Sequence, residues 1–173
     1  MMDFELARDL MIDGQLKPNQ VNDPRILDAF RVVPRELFVP SSLKGVAYVD
    51  EDIEVAPGRY LLEPLVLARM IQAANPTARD VALDVASGTG YSAAVLAQLA
   101  GAVVALEEDQ ELADRATGTL LDLRYDSVVV VKAPLAQGCA EQAPYDVIVI
   151  NGMVEEVPQA LLDQLNEDGR LVA

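Results

Sequence analysis

Two carboxylates and two glycines, set at fixed distances from apolar runs, are the residues here with the most evident capacity for chemistry: Asp84, Gly88, Gly90 and Glu107. Val81-Ala82-Leu83-Asp84-Val85 is an apolar run that takes in an acid near its end. Ala86-Ser87-Gly88-Thr89-Gly90 follows as a glycine-bearing turn, and Tyr91-Ser92-Ala93-Ala94-Val95-Leu96-Ala97 as an Ala-rich helical pattern. The order predicts a strand, a tight turn and a helix N-terminus. Glycines let the backbone approach a ligand, and the unpaired N–H groups of the helix face it. Such a turn is suited to a nucleotide-like cofactor.

Gly88-Thr89-Gly90-Tyr91-Ser92-Ala93 fits the dinucleotide pattern G-x-G-x-x-A, so a nicotinamide-dependent oxidoreductase is one reading. Asp84 favours another, because a cofactor bearing an ammonium group, such as S-adenosylmethionine, has use for an acid at the end of that strand. In addition, 80 residues precede Val81, whereas nicotinamide domains often begin at this strand. Glu107 ends the next apolar run, Val103-Val104-Ala105-Leu106, where an acid can accept from both ribose hydroxyls. Each residue also has a plainer explanation. Glu107 opens the acidic run Glu107-Glu108-Asp109-Gln110-Glu111, which suits a helix N-terminus. Gly88 and Gly90 suit any tight turn, and Asp84 suits the polar end of a buried strand.

The elements that must hold these residues alternate. Strands are expected near 80–85, 102–106, 127–132 and 145–150, with another starting at 170–173. Helices are expected over 90–100, 109–124 and 157–166, with Gly169 as a turn. Such alternation predicts a parallel, doubly wound α/β sheet with crossover helices on both faces. Ahead of it, residues 1–45 read as helical, with Phe4, Leu6, Leu10, Met11 and Leu16 at helical spacing. A second helix starts at Asn22 or Asp23 with Ile26, Leu27 and Phe30 inward. Residues 46–60 read as irregular and acidic, and a helix from Pro64 stops at Asn75-Pro76. The expected organisation is one continuous domain: an N-terminal helical region with a loop over 1–63, and a cofactor-binding core over 64–173. A strand just beginning at Arg170-Leu171-Val172-Ala173 leads us to expect that C-terminal strands are missing.

Composition narrows the function. The 173 residues are 51% hydrophobic with a formal charge of −15, which suits one folded domain and disfavours non-specific nucleic-acid binding. There is no histidine, so a histidine base and a His-ligated metal are excluded, and the lone Cys139 has no partner for a disulfide or a zinc site. No apolar run approaches the roughly 20 residues of a membrane span. Met1-Met2-Asp3-Phe4-Glu5 shows no signal peptide, and a cytoplasmic location is the expectation.

The chain resembles the protein-L-isoaspartate O-methyltransferase family. The resemblance is carried by Met11-Ile12-Asp13-Gly14-Gln15-Leu16, Val33-Pro34-Arg35-Glu36-Leu37-Phe38-Val39-Pro40 and Ala47-Tyr48. It continues through Gly90-Tyr91-Ser92-Ala93-Ala94-Val95-Leu96-Ala97, Ala143-Pro144-Tyr145-Asp146-Val147-Ile148 and Leu161-Leu162-Asp163-Gln164-Leu165. These segments follow the family's order over nearly the whole chain. The resemblance implies a Rossmann-like sheet, S-adenosylmethionine as methyl donor, and a damaged protein or peptide carboxylate as acceptor. It places the cofactor loop on Asp84, Ala86, Ser87, Gly88 and Gly90 and the ribose acid on Glu107.

Three positions depart from the family pattern. The first glycine of the cofactor loop falls at Ala86, and the Gly-Asp-Gly that meets adenine falls at Ala133-Pro134-Leu135. The loop carrying a Thr-Ile-Ser-Gln-Pro-like run falls at Tyr60-Leu61-Leu62-Glu63-Pro64, so the active-site hydroxyl position is Leu62. The chemistry tolerates this loss. An isoaspartyl carboxylate is ionised at pH 7 and needs no base, and holding the reactants in line can supply roughly 7–11 kcal/mol. Arg59, with its forked donors, and Tyr60 are the candidates to hold the acceptor. The departures also admit a degenerate relative that keeps the fold as a binding module.

Overall fold

The computed structural model describes residues 3–173; Met1 and Met2 lie outside them. The chain opens with α1 (Phe4–Met11), capped by the Asp3 side chain, which accepts from the N–H of Leu6. The helix continues into a π-helical turn over Ile12–Leu16 and a 3-10 turn over Lys17–Asn19. Met11, Ile12 and Leu16 are buried there, while Leu6 and Leu10 are exposed, which corrects the expected inner face. The inward stripe runs through Phe4, Ala7, Arg8, Met11, Ile12, Gln15 and Leu16, and Leu6 and Leu10 lie on the opposite face. Asp23 caps α2 (Pro24–Val32), with Pro24 in the first turn and Ile26 and Phe30 buried.

Residues 46–60 are more ordered than expected. Ile53–Ala56 (β1) and Arg59–Leu61 (β2) pair antiparallel around Pro57-Gly58, with Gly58 at φ 69°. Ile53, Val55 and Leu61 turn inward, so this small hairpin is pinned to the core and carries Arg59 and Tyr60 at the start of its second strand. Then α3 (Pro64–Ala74) leads to β3 (Val81–Val85), α4 (Tyr91–Ala97), β4 (Ala102–Glu107), α5 (Gln110–Asp122), β5 (Val128–Lys132), β6 (Tyr145–Ile150), α6 (Gln159–Leu162) and β7 (Leu165–Val172).

The main sheet has the order β5-β4-β3-β6-β7, parallel throughout. Side chains alternate between two cores, as buried parallel strands require. Ala82, Val103, Ala105, Val147 and Val149 pack with the N-terminal helices, α3, α4 and α5. Leu83, Val85, Val104, Leu106, Ile148 and Ile150 pack with Tyr145, Cys139 and Leu161 on the other face. The topology is the Rossmann-like one expected.

The helix expected over 157–166 is cut to one turn. Buried Gln164 donates to the carbonyls of Gln137 and Ala160 and accepts from the N–H of Cys139, and its own carbonyl takes the N–H of Tyr145. That set of bonds pulls the chain out of the helix and into β7 at Leu165. Tyr145 pairs with Leu165 but Val147 with Arg170, so the chain bulges between them, and Gly169 sits in that bulge. A β-carbon there would lie 2.9 Å from the Asn166 carbonyl oxygen.

Candidate functional site

The chain runs from β3 outward to β4 and β5, then returns to β6 on the other side of β3. The crevice at the carboxyl ends of β3 and β6 is therefore the switch point where open α/β sheets bind ligands. Asp84, Ala86, Ser87 and Gly88 from the end of β3, Glu107 from the end of β4, and Arg59 from the hairpin all converge there.

The loop after β3 is built from left-handed residues. Ala86 has φ 58°, Gly88 φ 58° and Gly90 φ 93°. An alanine in that conformation is strained by its Cβ, so the backbone keeps a glycine geometry at the position where the family's first glycine falls. A Cβ on Gly88 would meet nothing within 4 Å, so its backbone lies open to a ligand. Gly90 differs, since a Cβ there would lie 3.1 Å from Leu120 Cδ1 and 3.2 Å from Ala116 Cβ. Both its left-handed φ and the packing of α4 against α5 call for a glycine there. The Ser87 hydroxyl is buried without a hydrogen-bond partner, a polar group left for something that enters this loop.

Asp84 has no exposed surface. It accepts from Ser92 Oγ at 2.7 Å and from Asn151 Nδ2 at 2.7 Å. Burial pushes its pKa up to about 7; those two bonds oppose the shift, and the charge of Glu107 adds to it. Enclosed in this way, the Asp84 carboxylate is linked to the crevice through Asn151, which lines it. Sequence reading missed Asn151, although a polar residue directly after the apolar run Val147-Ile148-Val149-Ile150 marks the end of a central strand.

Glu107 is completely buried, and every one of its lone pairs is engaged. Oε1 accepts from Arg59 Nη1 at 2.7 Å and from the N–H groups of Glu108 and Asp109 at 2.9 and 3.0 Å. Oε2 accepts from Arg59 Nη2 at 2.5 Å and from the Gly88 N–H at 2.9 Å. The bond to Gly88 ties the acid to the glycine loop. The Arg59 guanidinium is held further toward its charged form by Glu107, against partial burial.

Two clefts open from this centre, and Arg59, Ala86, Asn151, Gly152 and Met153 line both. One, of about 320 Å³, is walled by Leu135, Ala136, Ile150, Pro158 and Leu161, with Glu108 at its edge. This is an apolar slot, and Leu135 on its wall follows Pro134, which stands where the family's acid falls. The other, of about 710 Å³, is bordered by Asp52, Tyr60, Leu62, Val66 and Met70. Tyr60 is exposed at its mouth. Leu62 presents only carbon to it, and its carbonyl is taken by Arg35 Nη2 at 2.7 Å.

These features define a Rossmann-like nucleotide site of the methyltransferase class, and solved structures agree. A protein-L-isoaspartate O-methyltransferase aligns with a TM-score of 0.83 at 28% identity, over 95% of this chain and 54% of that one. A Plasmodium falciparum beta-aspartate methyltransferase in complex with S-adenosyl-L-homocysteine shares the fold at a TM-score of 0.80 and 19% identity, over 99% of this chain and 83% of that one. The family profile of protein-L-isoaspartate(D-aspartate) O-methyltransferases matches residues 7–173. The chain belongs to that family. It is 39% identical to protein-L-isoaspartate O-methyltransferase 1 of Syntrophobacter fumaroxidans, over 99% of this chain and 80% of that protein. It is 42% identical to the Synechococcus enzyme, over 98% of this chain and 69% of that protein. No helix among the described residues is long and apolar enough to cross a membrane.

Proposed function

We propose that this protein is an S-adenosylmethionine-dependent methyltransferase that esterifies the carboxylate of an isoaspartyl residue in damaged protein or peptide. The observation carrying this reading is the convergence of Glu107, the left-handed loop Ala86–Gly88 and an apolar slot at the switch point of the sheet. S-adenosylmethionine, when bound, supplies an electrophilic methyl group on a positively charged sulfur.

The residues present fit that group. Glu107 suits a pair of ribose hydroxyls, and the slot beside Leu135 and Ile150 suits adenine through dispersion and burial. Ser87 offers an unused hydroxyl, and Gly88 offers open backbone. Asp84, shared between Ser92 and Asn151 with its pKa raised to about 7, lies behind the loop, where a cationic ligand in front of it would favour its charged form. The acceptor carboxylate needs no proton removed, so the protein's task is to align it within the second cleft. Arg59 and Tyr60 are the side chains that line this cleft and can hold an oxyanion.

The direct test is transfer of a labelled methyl group from S-adenosylmethionine to an isoaspartyl peptide, with the matching aspartyl peptide as control. Label on the isoaspartyl peptide alone, lost in Glu107→Ala, supports the reading. Tight binding of S-adenosylhomocysteine without transfer to either peptide would remove the acceptor and leave only a cofactor-binding protein.

A further inference from the structure

Glu107 has two carboxylate oxygens and room for about four acceptor bonds. Three backbone N–H groups and both forks of Arg59 make five bonds to it and more than fill that capacity. The backbone bonds come from the loop and helix start that position the acid, and they stay as long as the fold does. The two from Arg59 come from a side chain on a hairpin, itself 26% exposed, and can be given up. Ribose hydroxyls therefore have one way to reach this carboxylate, which is to take the lone pairs that Arg59 holds. An arginine on Glu107 and a ribose on Glu107 exclude each other.

A displaced Arg59 has a second place to go. It lines both clefts, and of the described residues bordering the larger one it is the one cation. That cleft lacks a hydroxyl at Leu62 and carries Asp52 on its rim, so an acceptor carboxylate entering it meets no other cation, only the neutral donors of Tyr60 and Asn151. Forked on Glu107, Arg59 is neutralised and turned away from such a ligand.

We propose that Arg59 is a coupling residue: cofactor ribose displaces it from Glu107, and the freed guanidinium becomes the site for the acceptor carboxylate. The acceptor site is thus made by the cofactor, and binding is ordered, with the nucleoside first. This rests on the proposed reading in one respect, that a ribose is what Glu107 meets. It also gives the arginine the positioning work that Leu62 cannot do.

The test compares the full-length chain with Arg59→Gln and Arg59→Lys. Titration with S-adenosylhomocysteine should show Arg59→Gln binding at least tenfold tighter than the parent, with Arg59→Lys between them. 5′-Methylthioadenosine, which has the ribose but no amino-acid carboxylate, should gain by a similar factor. A fluorescent isoaspartyl peptide should bind the parent only when S-adenosylhomocysteine is saturating, and bind Arg59→Gln at least tenfold more weakly under that condition. Unchanged or weaker S-adenosylhomocysteine binding by Arg59→Gln would overturn the competition. Peptide binding that ignores the nucleoside, or that fails even with it, would overturn the coupling. If both binding shifts occur without methyl transfer, the proposed reaction falls and the coupling stands. If no variant binds either nucleoside, the cofactor reading falls and takes the coupling with it.

Discussion

The carboxylate of Asp84 and the carboxamide of Asn151 meet at 2.7 Å, and the same amide also donates to the Val85 carbonyl at 3.1 Å. The contact ties the ends of β3 and β6 together at the point where the sheet changes direction. It is made inside the protein, by an acid with no exposed surface, against neutral partners only. An acid so placed binds its proton more tightly folded than unfolded, which fixes the sign of its effect on stability.

Between the ordinary carboxylate value of 3.8 and the folded value of about 7, the native state holds a proton at Asp84 that the unfolded chain has released. Its contribution to stability is full below pH 4, falls as pH rises through that window, and is flat above about pH 7. The loss is on the order of a few kcal/mol. Denaturant unfolding at pH 4.5, 6 and 7.5 should show this slope in the parent and a flatter one in Asp84→Asn. Equal slopes in the two proteins would mean that Asp84 titrates normally.

Ala86 keeps a backbone made for glycine, at φ 58°, while lining both clefts. Ala86→Gly removes a strained Cβ, worth about 1 kcal/mol, and also widens the approach to the loop. We expect melting to stay level or rise slightly and S-adenosylhomocysteine to bind severalfold tighter. An unchanged affinity would show that the methyl group does not reach the ligand. A large loss of stability would show that the methyl group packs usefully where it is.

Much of this site is legible in the sequence because it is local. The apolar run to Asp84, the turn to Gly90 and the strand to Glu107 each declare themselves within ten residues, and the parallel sheet follows from their alternation. What stayed hidden depends on pairs distant in sequence. Arg59 and Glu107 are 48 positions apart and Asp84 and Asn151 are 67 apart, so no spacing rule joins them. The β1–β2 hairpin had a signal, Pro57-Gly58 between Val55 and Leu61, but its acidic surroundings masked it. The shortened α6 had none, because Leu161 and Leu165 stand at helical spacing. Gln164, reaching Gln137 and Cys139, ends that helix through contacts 25 to 27 residues away.

Gly88 and Gly90 are alike in sequence but not in surroundings, so their alanine variants should separate. At Gly88 the cost is conformational, about 1 kcal/mol, since nothing crowds the new methyl. At Gly90 the methyl also presses on Leu120 and Ala116 of α5, and overpacking adds typically 1–3 kcal/mol. Thermal melting should rank the parent above Gly88→Ala and Gly88→Ala above Gly90→Ala. For nucleoside binding the order should invert among proteins still folded, with Gly88→Ala the weaker binder. A common effect on both properties would mean that the two glycines do the same work.

Arg35, in the Val33–Pro40 segment that carries the family resemblance, is wholly buried and lies 4.8 Å from the centre of the Tyr91 ring. Its Nε donates to the Ala47 carbonyl and its Nη2 to the Leu62 carbonyl, each at 2.7 Å. One side chain thereby fixes the backbone on both sides of the β1–β2 hairpin, and with it the base from which Arg59 projects. Burial lowers the Arg35 pKa and the phenol of Tyr91 opposes that shift, while burial pushes the Tyr91 hydroxyl up to about 12. Arg35→Lys keeps the charge but cannot span two carbonyls with a rigid fork. It should cost on the order of 2–4 kcal/mol, as expected when a buried charge loses bonded partners. Because the hairpin loosens while the Glu107 carboxylate keeps its backbone donors, KM for an isoaspartyl peptide should rise more than the dissociation constant for S-adenosylhomocysteine. Parallel losses in both would instead mean that Arg35 holds the whole fold and has no particular hold on the acceptor loop.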